Sequence, residues 1–261
     1  MRNGPDTCRV IPGAEAVLRI QDYAPGVLLL HGFRGSPHEM KYLGDRIYRS
    51  GYSISIPRYP GHGTSLQDMT CTGVHDWFTA AREAYLEMCR HCPVVHIVGL
   101  SMGGLFSILL ADQFGPENIV LLSTPHTIAD KRIWLAPFLG LFKKIIYEKD
   151  DLKGVRDPDA RAGHICYHEG IPVRQTWELF RIMRHAMVLL KDVHSRALII
   201  QSKLDDRVPE DSCRIIYETI ASVKKEIITV EHSGHAITVD FDRDIVAEAV
   251  ISFLDNGREY Q

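Results

Sequence analysis

The sequence predicts an α/β protein: a mostly parallel central sheet, helices on both of its faces, and a helical insertion. Three observations carry this prediction. Short runs that are apolar at nearly every position, such as 26–30, 94–98 and 118–122, recur along the chain. Strands buried on both faces have that pattern. Stretches of helical spacing alternate with these runs, which implies crossover connections and therefore parallel pairing. The alternation stops between 125 and 192 and then resumes. Residues 1–124 and 193–261 are accordingly read as one core, and residues 125–192 as an inserted helical cap.

The elements follow in order. Gly26–Leu30 is a buried strand, and His31-Gly-Phe-Arg-Gly35 is the turn after it. Residues 37–49 place Met40, Leu43, Ile47 and Tyr48 on one side of a helix, which Gly51 ends. Residues 52–56 alternate and predict a strand, and 57–65 form a loop rich in Gly and Pro. A helix over 74–90 leads to the buried strand 93–98. A helix over 102–114 stops at Gly115-Pro116, before a strand over 118–123. Within 125–192 the pattern is mainly helical, with no clear strand. Beyond it come a strand at 196–201, a helix at 211–221, a strand at 226–230 and a helix at 243–254.

Composition excludes several classes. The 261 residues are 45% hydrophobic and 24% charged, the values of an ordinary globular chain rather than a disordered one. A net charge of -3 offers no basic excess for nucleic acid. No apolar run reaches the ~18 residues that would predict a membrane span. The N-terminus lacks the apolar stretch of a signal peptide. The six cysteines, Cys8, Cys71, Cys89, Cys92, Cys166 and Cys213, are scattered. They predict free thiols in a reduced, cytoplasmic setting. Cys89-x-x-Cys92 lacks a second ligand pair and a thioredoxin-like context, and reads as thiols at a helix end; no metal is expected there, and no organic cofactor is expected for the chemistry read below.

The sharpest chemical signal is Gly99-Leu-Ser-Met-Gly103, lying between a buried strand and a helix. A serine nucleophile on such a tight turn needs small neighbours two positions to either side. The helix that follows favours developing negative charge at its N-terminus. Ser101 is thus the candidate nucleophile. A base and an orienting acid should follow it in the order acid, then histidine. His235, in Ser233-Gly-His235 just past the last strand, is the candidate base, and His232 is read as structural. Asp205 and Asp206 both follow the strand at 196–201; Asp205 is favoured by its spacing to Val208-Pro209. The oxyanion needs two backbone donors. Met102, after the nucleophile, and Phe33, in the loop after 26–30, are the candidates. His31 is read as a structural loop residue.

On these residues the chain resembles the bacterial carboxylesterase and monoacylglycerol lipase branch of the α/β-hydrolases, the small carboxylesterases of thermophilic bacilli. The resemblance spans nearly the whole chain. It runs through Gly13-Ala-Glu15, His31-Gly-Phe-x-Gly35, Pro57-Arg58, Gly61-His-Gly-Thr64, His75-Asp-Trp77, Gly99-Leu-Ser-Met-Gly-Gly104, Asp205-x-x-Val-Pro209 and Ser233-Gly-His235. It implies an α/β-hydrolase fold and a Ser101–His235–Asp205 triad that cleaves carboxylic esters through an acyl-enzyme. Its substrate would be a small-molecule ester, with monoacylglycerol among the candidates. Thioesterase and feruloyl-esterase activities on the same triad stay open, as does a ligand-binding protein without turnover. The oligomer is expected to be a monomer or a homodimer.

The chain departs from the branch in two places. Arg34 stands where a small polar residue is usual, so it either alters the mouth of the site or points to solvent. The cap matches poorly, and near Tyr167-His-Glu169 its spacing is offset by one residue, so no substrate role is carried to a position there. His75 and Trp77 lie near the expected alcohol pocket, but helix packing is favoured for both. The apolar run 133–142, followed by Lys143 and Lys144, either packs inside the cap or meets a lipid surface transiently.

Overall fold

Side chains of a strand point alternately to opposite faces, and this divides the interior in two. β1 (Val17–Arg19) and β2 (Gly26–Leu30) open the chain, followed by α1 (His38–Arg49), β3 (Ser53–Ile56), the short α2 (Leu66–Met69) and α3 (Val74–His91). In β2, Val27 and Leu29 face α1, while Leu28 and Leu30 face α3. β4 (Val95–Leu100), α4 (Met102–Phe114) and β5 (Asn118–Leu122) continue the alternation. These features belong to a computed structural model that describes residues 9–128, 131–140, 142–147, 154–167 and 169–256.

The segment after β5 contains α5 (Ala136–Leu139), β6 (Ile145–Tyr147), α6 (Pro158–Gly163), β7 (Gly170–Pro172) and α7 (Val173–Leu189). The main rhythm resumes with β8 (Arg196–Ser202), α8 (Ser212–Thr219), β9 (Lys225–Val230) and α9 (Arg243–Asp255). The seven strands of the main sheet are ordered β1-β3-β2-β4-β5-β8-β9. Every pairing is parallel except β1 with β3. This is the mostly parallel sheet expected of the α/β-hydrolase fold.

One core holds α1 and α9 against the sheet through Met40, Leu43, Ile47, Val246, Val250 and Phe253. The other holds α3, α4 and α7. Helix α4 is buried nearly all round, from Met102 to Ala111, because it lies between the sheet and α7. Phe180, Met183 and Ala186 of α7 belong to that same core, so the longest helix of the 125–192 segment is part of the main packing.

The expectation of no strand within that segment is corrected: β6 and β7 form a separate antiparallel pair, with Ile145 opposite Pro172. Each is three residues long, too short to display an alternating pattern. The three-residue β1 escaped the pattern for the same reason. Cys89 ends exposed near the C-terminus of α3, and Cys92 is its buried C-cap; both are free thiols, as are Cys71 and Cys213. Cys8 lies outside the described residues. Among those described, no helix is long and apolar enough to cross a membrane.

Candidate active site

β4 ends at Leu100 and α4 begins at Met102, so Ser101 alone makes the turn, at φ 55° and ψ -114°. A serine in that region is strained, and strain of this kind persists only where surrounding structure imposes it. Here its N–H donates to the Leu122 carbonyl at 2.8 Å, and its carbonyl accepts from Gly104 and Leu105. A Cβ on Gly99 would overlap the Gly103 carbonyl, and one on Gly103 would overlap the Leu30 carbonyl. The turn can close only with glycine at both positions.

The acid and the base sit in the loops after β8 and β9. His235 Nδ1 lies 2.9 Å from Asp205 Oδ2. Asp205 Oδ1 accepts the N–H groups of Arg207 (2.9 Å) and Val208 (3.0 Å). The His235 and Asp205 side chains are 17% and 1% exposed. Burial pushes the Asp205 carboxyl up, but the charge and hydrogen bond of His235 and the two N–H groups outweigh it, and the pKa is lowered. Burial pushes His235 down, but Asp205 outweighs it and the pKa is raised. Asp206 is exposed and lies 3.8 Å from Arg207.

The loop carrying His235 is held by two carboxylates. Asp242 accepts the N–H groups of His232 and Ser233, and Asp240 accepts that of Gly234. The His232 ring bonds Asp242 while remaining largely exposed, so its role is to pin the loop. The Ala236 N–H donates to the Gly154 carbonyl at 2.8 Å.

Ser101, His235 and Phe33 line one cavity of ≈ 250 Å³. Among the described residues, the groove between α1 and α9 and two further surface grooves are lined by no histidine. Met102 is buried behind Ser101 at the first position of α4, where a helix offers an unused N–H. Among the described residues, neither the Met102 nor the Phe33 N–H has a protein acceptor. The Phe33 ring meets Trp77 at 5.8 Å between centroids.

His31 is buried with its ring 4.0 Å from that of Tyr59, and burial lowers its pKa to about 4. It is a neutral loop residue. Trp77 packs behind Phe33 and donates from Nε1 to Thr72 Oγ1 (3.0 Å), whereas His75 is exposed and outside the cavity.

Arg34 lines the cavity and does not point away to solvent. Its Nε donates to the Tyr167 carbonyl at 2.7 Å, and its own carbonyl accepts the Tyr167 N–H at 2.9 Å. Tyr167 is buried, with its hydroxyl donating to the Gly61 carbonyl and accepting the Thr64 N–H. Glu169 is exposed, and His168 lies outside the described residues.

Sequence reasoning missed Glu39, His164 and Cys166, which also line the cavity. Glu39 follows the helical phase of the buried side of α1, and a charged residue in that phase was the available signal.

A family model described as serine aminopeptidase, S33, matches residues 23–242. The chain is 31% identical to a thermostable monoacylglycerol lipase of Bacillus sp. (strain H-257), over 94% of this chain and 96% of that one. It is 27% identical to a carboxylesterase of Bacillus subtilis (strain 168), over 88% and 92% of the two chains. Among solved structures, one of two metagenome-derived lipolytic enzymes superposes with a TM-score of 0.85 at 30% identity, covering 95% of this chain and all of that one. With its fold, its sheet order and a match over most of its length, the chain belongs to the serine aminopeptidase S33 family of α/β-hydrolases.

Proposed function

We propose that this serine hydrolase cleaves carboxylic esters, with Ser101 as nucleophile, His235 as base and Asp205 as orienting acid. The observation that carries the reading is that His235, held 2.9 Å from the buried Asp205, lines the same cavity as the strained Ser101. The family description alone would admit a peptide substrate. The ester class follows the two relatives that match along about nine-tenths of the chain.

In this reading Ser101 Oγ attacks the ester carbonyl while His235 takes its proton. Asp205 fixes the imidazole with its proton on Nδ1 and stabilises the imidazolium. The Met102 and Phe33 N–H groups receive the oxyanion, each contributing about 2.7–4 kcal/mol if protease donors are a guide. His235 then protonates the leaving alcohol, and water releases the acyl group by the same steps in reverse.

Residues 125–192 act as the cap over the cavity. Within 133–142, Ile133 and Ala136 are buried, while Phe138 and Phe142 are 69% and 86% exposed beside Lys143 and Lys144. Leu141 lies outside the described residues. An exposed apolar cluster flanked by cations supports transient contact with a lipid surface and a monoacylglycerol-like substrate. The test is hydrolysis of p-nitrophenyl esters from acetate to palmitate, with 1-monoacylglycerols alongside and Ser101→Ala as control. Turnover that includes monoacylglycerols and vanishes in Ser101→Ala is expected. Turnover equal in the control would overturn the assignment of Ser101.

A further inference from the structure

The cavity that holds Ser101 also contains a buried ion pair that the triad does not use. Glu39 lies in the first turn of α1, where a carboxylate is favoured by the helix N-terminus. Its side chain runs back along the helix toward the loop after β2. There Oε2 accepts the buried Gly32 N–H at 2.9 Å. Gly32 directly precedes Phe33, whose N–H is the proposed oxyanion donor. A Cβ on Gly35 would overlap the Glu39 carboxylate, so this turn of the loop is shaped around it.

The second oxygen, Oε1, lies 3.0 Å from His164 Nε2, and the two side chains are only 7% and 8% exposed. Burial would push the carboxyl up, but the hydrogen bond and charge of His164, with His31 and the Gly32 N–H, hold it below the usual carboxylate range. Burial would push His164 down, but Cys166 and Glu39 raise it to about 10. Both groups therefore carry charge at neutral pH. Around the pair, Ser36 Oγ donates to the Ile165 carbonyl (2.9 Å), and the Tyr167 N–H donates to the Arg34 carbonyl (2.9 Å). Residues 34–39 and 164–167 are thus bonded along their length, with the ion pair at one end.

We propose that Glu39 is a positioning residue: clamped between the Gly32 N–H and the His164 ring, its carboxylate sets the loop that presents the Phe33 N–H and ties that loop to residues 164–167. The inference rests on the ester-hydrolase reading above. It also gives the carboxylate an electrostatic effect. Glu39 is among the groups that raise His235; Asp205 raises it more strongly, and Arg207 opposes both. The titratable groups facing Glu39 itself are His31, His38, Tyr59, His164 and, more weakly, His235.

The experiment compares Glu39→Ala, Glu39→Gln and Ser101→Ala on p-nitrophenyl butyrate. Active sites are counted with a fluorophosphonate, kcat and KM are separated, and the acid limb of kcat/KM is measured. Glu39→Ala removes the clamp and should lower kcat per labelled site by about 10- to 100-fold, as misplaced positioning groups do. KM should change little, because an oxyanion donor acts in the transition state. Glu39→Gln retains an acceptor for the Gly32 N–H, so it should recover much of kcat. Its acid limb should still move to lower pH, because the negative charge favouring the His235 imidazolium is gone. A purely structural Glu39 would lower the melting temperature but leave kcat per site and the acid limb unchanged, and that result overturns the proposal. If Glu39→Ala does not fold, His164→Ala removes the other side of the clamp and should lower kcat per labelled site; an unchanged kcat per site in that variant overturns the proposal. Persistent turnover in Ser101→Ala would instead remove the reading on which the inference rests.

Discussion

Replacing Asp205 by Asn changes one atom of a buried side chain, and the structure dictates where that atom goes. In the native protein Oδ1 faces two N–H donors, from Arg207 and Val208, and Oδ2 faces His235 Nδ1. An amide NH2 placed against Arg207 and Val208 would set donor against donor. The asparagine oxygen therefore stays there, and the NH2 turns to His235. Nδ1 must then accept, so the neutral ring carries its proton on Nε2, the nitrogen that receives the Ser101 proton in the proposed mechanism. An analogous wrong-tautomer substitution in serine proteases lowers kcat by about 10⁴-fold, which is about 5.4 kcal/mol of barrier. The shape is retained, so folding should be little affected. The assay is kcat/KM on p-nitrophenyl butyrate across pH, with the melting temperature recorded in parallel. The acid limb should also move to lower pH, because the Asp205 charge that raises His235 is lost. Asp206→Asn, at an exposed carboxylate, is the control and should stay near wild type. A loss under about tenfold in Asp205→Asn, far short of the tautomer penalty, with an unmoved acid limb would refute the reasoning.

Three further outcomes are expected. Activity should fall as pH drops through the raised His235 pKa, so the acid limb of kcat/KM should have its midpoint above 6.5; a midpoint below that value contradicts the electrostatics described here. Asp242→Ala removes an acceptor of two loop N–H groups and should cost about 3 kcal/mol, lowering the melting temperature by about 6–12 °C. Burial pushes Asp242 up but its hydrogen bonds hold it below the usual carboxylate range, so its stabilisation is present at neutral pH and is lost as pH falls through the folded value. Scanning calorimetry at neutral and at acid pH would show a difference between variant and wild type that narrows at acid pH, and a constant difference speaks against the carboxylate. Replacing Phe138 and Phe142 by Asp should reduce turnover of long acyl esters more than that of acetate; equal losses would sink the lipid-surface reading.

The parallel sheet was legible because β2, β4 and β5 are apolar at nearly every position, and only strands covered on both faces need that. Ser101 was legible for a different reason. A turn this tight leaves no room for side chains at Gly99 and Gly103, so the geometry is written into composition. The β6–β7 pair was not legible, because three residues per strand cannot establish a period and their partners are remote in the chain. Arg34 resisted reading because its role depends on the Tyr167 carbonyl, and the sequence does not say that these two residues meet.

The sequence by itself determined the alternation of strands and helices in the main sheet and the sharp turn at Ser101, and it nominated Asp205 and His235 as the residues proposed to act with that serine. Those features rest on local rules of apolar period, turn sterics and position after a strand. Only the tertiary structure decided that Glu39 and His164 are buried together beside that turn, at 3.0 Å. An ion pair between residues 125 positions apart leaves no periodic trace, because its partners are joined by the burial of two charges and not by any local rule of the chain.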